Sequence, residues 1–350
     1  MKVRLPVRRA ILDRQTYEAP AEGRFGKTRL DFNENTSGCS RAALKALRKL
    51  GAKEIAVYPE YELSTRKLAR YFRVRPEELL LTNGGDDALR VFFDTFVEPG
   101  SHVLICEPTF PMYRYYAEIA GARVEVLRYG PQMQFPLAQA LAALRKKPRV
   151  FFLANPNNPT GTLVHKEAIA KLLRAATNTV VVLDEAYADF SGVTFVPWVR
   201  RYPHLFVAKT FSKAAGLAGL RLGAVIGQRD SLALPRRAMP PFPVNIAALA
   251  AGVAAIEERK SLNQYVSEVK RLRTWLAREL EKYGARVYPA TGNFLLADFG
   301  PAGPPFFHKL ARHGILVRER SKDLGPGFVR ITIGTQAELK KLVKILKESR

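Results

Sequence analysis

Lys213 is the residue of this 350-residue chain best placed to do chemistry. It closes Thr210-Phe211-Ser212-Lys213 after the run HLFVA and precedes a small-residue stretch, a setting that can desolvate a lysine amine enough to make it a nucleophile. Ser212 and Arg221 add a hydroxyl and a permanent cation, both suited to a phosphate monoester. By itself, a lysine in this setting is usually a solvated one. Asp184, which opens Asp184-Glu185-Ala186-Tyr187 after TVVVL, needs a cationic or protonated partner if its strand is buried, because an unpaired buried charge is costly. A protonated pyridine nitrogen would serve, with the Tyr187 hydroxyl near a ring oxygen; so would a structural arginine.

Two loops add polar groups. NPNNPTG (155–161) follows RVFFLA; its prolines and glycine fix an irregular loop, and its three Asn side chains offer donors and acceptors. Gly84-Gly85 follows the short run LLLT and precedes a helical pattern from about Asp86. Glycines there allow close backbone approach, and the free N–H groups of a first helical turn bind anions. The pair is also compatible with a plain strand-to-helix turn.

The elements that must hold these groups are short apolar runs: HVLICEP (102–108), RVEVLRY (123–129), RVFFLANP (149–156), TVVVLDEAY (179–187), HLFVAKTFSK (204–213) and RLGAVIG (221–227). Without strict polar alternation they read as strands buried on both faces. Amphipathic stretches between them, such as KEAIAKLLRAA (166–176), read as helices. The fold class is α/β, a mostly parallel central sheet with helices on both faces. Ligands of such sheets gather beyond the carboxyl ends of the strands, where these polar clusters stand. A long helical stretch from about 244 stops at Gly284, and the strands and helix after it predict a smaller α+β domain.

Hydrophobic content of 47% and charged content of 25% suit a globular protein. Cys39 and Cys106, without paired Cys/His spacing, suggest neither a disulfide framework nor a metal site. No apolar run is long enough for a signal peptide or a membrane span, so a cytoplasmic location is expected and no membrane partner. The net charge of +24 draws anions, yet no basic block or RNA-binding signature accompanies it; nucleic acid is not the expected partner.

Taken in order, NPNNPTG, DEAY, TFSK and the AGLRLG that carries Arg221 resemble the pyridoxal-phosphate-dependent aminotransferases of class I/II, of the aspartate aminotransferase fold type, and above all their histidinol-phosphate branch. The resemblance runs from LDFNEN to VRITIGT. It implies pyridoxal 5′-phosphate as cofactor, Lys213 as the Schiff-base lysine, and Asp184 as partner of the pyridinium nitrogen. It further implies Asn157 and Tyr187 on the ring's phenolic oxygen and Phe110 stacked on the ring. The phosphate would be held by the backbone of Gly85 and Asp86 with Thr210, Ser212 and Arg221. Tyr58 matches a tyrosine that reaches the neighbouring subunit's cofactor phosphate, which implies a homodimer. Arg330 matches the arginine that binds the substrate's terminal anion; Arg318 and Tyr17 match positions that contact a substrate phosphate, and Asn157 is also counted on the substrate side.

The expected activity is therefore amino transfer from histidinol phosphate to 2-oxoglutarate, in histidine biosynthesis. Aromatic amino acids are the next donors, and decarboxylation of threonine phosphate is compatible with the same lysine and aspartate. A basic binding or regulatory protein retaining the fold is the non-enzyme alternative, against which intact Lys213, Asp184 and Arg221 stand. Thr36 in NENT and Asp87 after Asp86 depart from the family's usual proline and glutamate, near the expected site mouth and phosphate turn. The expected divisions are an arm with part of the small domain (1–40), a large cofactor-binding domain (41–245) and a small C-terminal domain (246–350).

Overall fold

In the computed structural model, which describes residues 5–12 and 22–348, the described residues form twelve strands in two sheets. Strand β1 (Thr28–Leu30) comes first. Seven strands follow: β2 (Leu79–Thr82), β3 (His102–Glu107), β4 (Arg123–Arg128), β5 (Val150–Ala154), β6 (Val180–Asp184), β7 (Leu205–Thr210) and β8 (Gly223–Ile226). The last four are β9 (Arg286–Tyr288), β10 (Phe294–Asp298), β11 (Ile315–Glu319) and β12 (Phe328–Thr332). Each of the six apolar runs contributes a strand.

The larger sheet has the order β2-β8-β7-β6-β5-β3-β4. Its core shows why the runs lack alternation. Leu104, Phe151, Leu153, Val181, Leu183 and Val207 pack into one apolar layer, while Val103, Ile105, Phe152, Val182 and Phe206 pack into the other. Successive side chains point to opposite faces, so a strand covered on both sides must be apolar throughout.

Strands β3 to β7 pair in parallel, but β8 runs antiparallel to both β7 and β2. This reversal matters for the site. Gly223, at the start of β8, is paired with Thr210 at the end of β7 and with Thr82 at the end of β2. Arg221, which precedes β8, therefore reaches the same sheet edge as the segments that follow β2, β5, β6 and β7.

The smaller sheet has the order β1-β11-β12-β10-β9, with β1 parallel to β11 and the other neighbours antiparallel. The arm thus contributes a strand to the C-terminal layer. The long helical stretch breaks at Glu258 into helices Ile246–Glu257 and Arg259–Lys282. The first buries Ala248, Leu249, Ala251 and Ala255 in the core of the larger sheet; the second buries Val266, Val269, Leu272 and Leu276 against the smaller one. The change of layer falls one helix later than residue 246.

Candidate active site

Between the two sheets lies a cavity of about 370 Å³, lined by loops at the edge of the larger sheet and by residues from β11 and β12 of the smaller one. Lys213 Nζ enters it and donates to the Phe32 carbonyl at 3.0 Å. Nearby, Thr210 Oγ1 donates to Ser212 Oγ at 2.9 Å and accepts from the Ser212 N–H at 3.2 Å. Helix Gly84–Phe96 begins beside them without a side-chain cap, so its first N–H groups have no intrahelical partner. Gly84 has φ +81°, and a Cβ there would lie 2.6 Å from Arg221 Nη2. Only glycine lets the guanidinium lie on that turn. Arg221 itself is held at φ +56°, a conformation that costs a non-glycine residue about 1 kcal/mol or more, and donates to Asp86 Oδ2 at 2.9 Å. Hydroxyls, a guanidinium and helix N–H groups meet at one end of the cavity.

Asp184 ends β6 on the cavity wall. Its Oδ2 accepts from the fully buried Tyr113 hydroxyl at 2.7 Å, and its Oδ1 from the Ala186 N–H at 2.9 Å. Burial pushes the carboxyl above its ordinary value, against those two hydrogen bonds, which pull it down. Among the described residues no cation lies within ion-pair distance of it. Tyr187 and Phe110 also line the cavity. The Tyr187 hydroxyl accepts from Asn33 Nδ2 at 2.9 Å, and Lys213 Nζ sits 5.9 Å from the Tyr187 ring centre. Phe110 meets Tyr113 edge-on at 6.0 Å.

The opposite wall is cationic. Arg318 on β11 and Arg330 on β12 are register partners, and Arg320 lies two residues on. Arg330 is buried; it donates to Asn158 Oδ1 at 2.5 Å and to the Asp31 carbonyl, while its Nε has no partner among the described residues. Burial drives this guanidinium down to about 10, with Arg320 and Arg318 adding to the push and Tyr187 and Asp31 opposing it. Arg320 pairs with Asp323. No carboxylate among the described residues pairs with Arg318 or Arg330.

Asn157, expected at the cofactor and the substrate, sits behind the cavity wall. It is fully buried, and its amide is spent inside the loop: Nδ2 donates to the Pro108 carbonyl and Thr160 Oγ1, both at 2.9 Å, and Oδ1 accepts from Thr109 Oγ1 at 2.6 Å. It does not line the cavity, whereas the adjacent Asn158 does and holds Arg330. Two neighbouring asparagines give no sequence signal as to which turns inward. Tyr113 escapes sequence reasoning because, three residues past Phe110, it reads as an ordinary helix aromatic; Asn33 and Arg320 escape it too, although they stand in LDFNEN and VRER.

Tyr58 is 75% exposed and does not line its own chain's cavity; its ring stacks on Phe242 at 4.3 Å. Tyr17 lies outside the described residues. The two departures have structural jobs. Thr36 Oγ1 donates to Glu338 Oε2 at 2.6 Å, beside the capping box of helix Gln336–Lys347. Asp87 accepts from the Asn83 N–H at 2.9 Å and pairs with Arg90.

Known proteins resemble this chain in sequence and fold. The chain is 33% identical over 327 residues to the histidinol-phosphate aminotransferase of Geobacillus sp. (strain WCH70), covering 91% of this chain and 89% of that protein. It is 35% identical to that of Symbiobacterium thermophilum, with the same two coverages. The crystal structure of histidinol-phosphate aminotransferase from Sinorhizobium meliloti, in complex with pyridoxal-5′-phosphate, superposes with a TM-score of 0.86 at 26% identity, covering 92% of this chain and 90% of that one. The sequence pattern of the family described as aminotransferase class I and II matches residues 26–346. With nearly the whole chain inside that match, and a lysine, a half-buried aspartate and an arginine wall around one cavity, the protein belongs to the class I and II aminotransferases.

Proposed function

We propose that this enzyme moves the amino group of histidinol phosphate to 2-oxoglutarate, with pyridoxal phosphate held at Lys213. The observation that carries the reading is the cavity's unmatched charge: a half-buried carboxylate without a cation on one wall, and Arg318 and Arg330 without carboxylates on the other. Such groups are tolerated when a ligand completes them.

The residues fit the cofactor. Asp184 offers its carboxylate to a protonated ring nitrogen, and the turn that Gly84 leaves open, with Arg221, Thr210, Ser212 and the N–H groups of Gly85 and Asp86, forms a cradle for its phosphate. Phe110 would supply an aromatic face, while Tyr187 and Asn158, which line the cavity, would hold the ring's phenolic oxygen. When bound, the cofactor supplies an electron sink for a carbanion at the amine-bearing carbon. Lys213 Nζ holds and returns the proton of that carbon. Arg330 and Arg318 bind the substrate's anion, and two guanidiniums facing across one strand pair suit a phosphate dianion. Arg330, oriented by Asn158 and the Asp31 carbonyl, serves a carboxylate of the oxo acid in the other half-reaction.

Ile55, Val57, Tyr58 and Leu63 lie exposed along one short segment, with the exposed Phe242 beside Tyr58. An apolar patch of this kind marks an association surface, and we assign it to a homodimer in which Tyr58 reaches the neighbour's phosphate cradle. Among the described residues no helix is long and apolar enough to cross a membrane, and both cysteines are free thiols; we place the enzyme in the cytoplasm. The large domain is proposed to extend from 41 through helix Ile246–Glu257. The test is kcat/KM for histidinol phosphate against phenylalanine, tyrosine and aspartate with 2-oxoglutarate as acceptor. Preference for the phosphorylated donor is expected, and equal or better turnover of an unphosphorylated one would overturn the substrate assignment.

A further inference from the structure

Three groups of the site, which come from three different segments, rest on one four-residue stretch. The Asp31 carbonyl accepts from Arg330, the Phe32 carbonyl accepts from Lys213 Nζ at 3.0 Å, and Asn33 Nδ2 donates to the Tyr187 hydroxyl at 2.9 Å. The stretch 31–34 follows β1 and runs between the two sheets, so its backbone must be fixed from outside regular structure.

Part of that fixing is local to Asn33. It is fully buried at φ +54°, with its N–H on Thr332 Oγ1 at 3.0 Å, its Oδ1 accepting from the same hydroxyl at 3.1 Å, and its carbonyl accepting from Asn293 Nδ2 at 3.0 Å. A left-handed asparagine persists when its surroundings over-determine it. The remainder comes from Arg24. This side chain is 11% exposed and grips Asp31 with two parallel hydrogen bonds, Nε to Oδ2 at 3.0 Å and Nη2 to Oδ1 at 2.8 Å. It also holds Glu34, with Nη2 at 2.6 Å from Oε2 and Nη1 at 3.4 Å from Oε1. Its guanidinium carbon lies 3.9 Å from the centre of the Phe32 ring. One planar cation thus fixes the side chains of residues 31, 32 and 34, while their backbone and Asn33 fix Arg330, Lys213 and Tyr187.

We infer that Arg24 is a positioning residue of this enzyme, which clamps the stretch Asp31–Glu34 and thereby sets Arg330, Lys213 and Tyr187 in mutual register. It acts without entering the cavity: Phe32 and Glu34 line the wall, and Arg24 stands behind them. The geometry explains the choice of arginine. A lysine could neutralise Asp31 or Glu34, but it has neither the fork to fix Asp31 in two directions nor the plane to stack on Phe32. The inference rests on the proposed role of Arg330 as the anion-binding residue.

The test uses succinate, a dicarboxylate with the reach of an amino-acid skeleton, titrated calorimetrically into the full-length enzyme, alongside steady-state kinetics and thermal melting. Arg24→Lys keeps the charge, and Glu34→Gln, which leaves the Arg24–Asp31 fork intact, is the milder companion should the first variant fold poorly. Misplacing a binding group by about an ångström costs on the order of 10²-fold, so Arg24→Lys is expected to weaken succinate binding roughly 10-fold or more and kcat/KM by up to about 100-fold, with Glu34→Gln intermediate in both. In an Arg330→Lys background the further loss of succinate binding on changing Arg24 should largely vanish, because residues that act through one another are not additive. Wild-type succinate affinity in both variants, or additive losses with Arg330→Lys, would overturn the clamp. A wild-type enzyme that binds no succinate would instead remove the anion-site assignment of Arg330, and the clamp's target with it.

Discussion

Replacing Arg330 by methionine separates the arginine's service to the ligand from its service to the fold. Burial lowers this guanidinium from its ordinary value to about 10. Its folded-state value thus lies below its unfolded one, so folding works against the charged form. That cost is fully present below pH 10 and is relieved only as the pH rises from about 10 toward the unfolded value. At 1.36 kcal/mol per unit the cost is about 3 kcal/mol. Against its removal stand the Asn158 Oδ1 and Asp31 carbonyl acceptors, which lose their donor at about 1–3 kcal/mol each if water does not reach them. The two sides nearly cancel, so Arg330→Met should melt within about 5 °C of the parent by calorimetry. Removing one member of a desolvated charge pair costs about 2–5 kcal/mol in binding, so kcat/KM should fall by about 30-fold to several thousand-fold. A Tm drop beyond about 10 °C would mean that the arginine is a structural cation, stabilising the fold well beyond the cost of its burial. An unchanged kcat/KM would take it out of the binding site altogether.

Lys213→Ala should abolish amino transfer while leaving cofactor binding measurable by dialysis and absorbance; residual turnover at the parent rate would place the reactive amine elsewhere. Asp184→Asn relieves a carboxylate whose ionised form burial disfavours, so the cofactor-free protein should melt no lower than the parent at pH 7, yet kcat should fall by about 100-fold or more through loss of a preorganised charge; a near-normal rate would show that another group protonates the ring. Arg318→Gln should raise KM for the phosphorylated donor by about 10-fold or more, as expected for a charge-assisted contact, and change that for aspartate little; equal effects on both would refute a phosphate role. Succinate binding, which needs Arg330 protonated, should weaken as the pH passes about 10, and an affinity flat through that range would contradict the assignment.

The parts of the site that are legible in the sequence are those set by strand ends. Asp184 directly follows the apolar run VVVL, and Lys213 stands a few residues past LFVA; such runs have one resting place, a sheet covered on both faces. Direction is not legible: the run in RLGAVIG is equally apolar read either way, and only pairing shows that β8 is reversed and brings Arg221 to the common edge. Side-chain direction within an irregular loop is not legible either. Asn157 and Asn158 are adjacent and chemically identical, and the buried hydrogen bonds that turn one inward come from Thr109 and Pro108, about fifty residues earlier. Arg24 leaves no signal, since one arginine among 56 basic residues shows its importance only when Asp31 and Glu34 close around it.

The most direct test of the assigned chemistry is a half-reaction followed by the visible absorbance of the cofactor-loaded enzyme. On adding histidinol phosphate without an oxo acid, the band of the lysine-held cofactor should fade, and it should return when 2-oxoglutarate is supplied; under the same conditions phenylalanine, tyrosine and aspartate should act more slowly. A band that histidinol phosphate leaves unchanged, or a protein that develops no such band with pyridoxal phosphate, would contradict the assignment of Lys213 and of the reaction built around it.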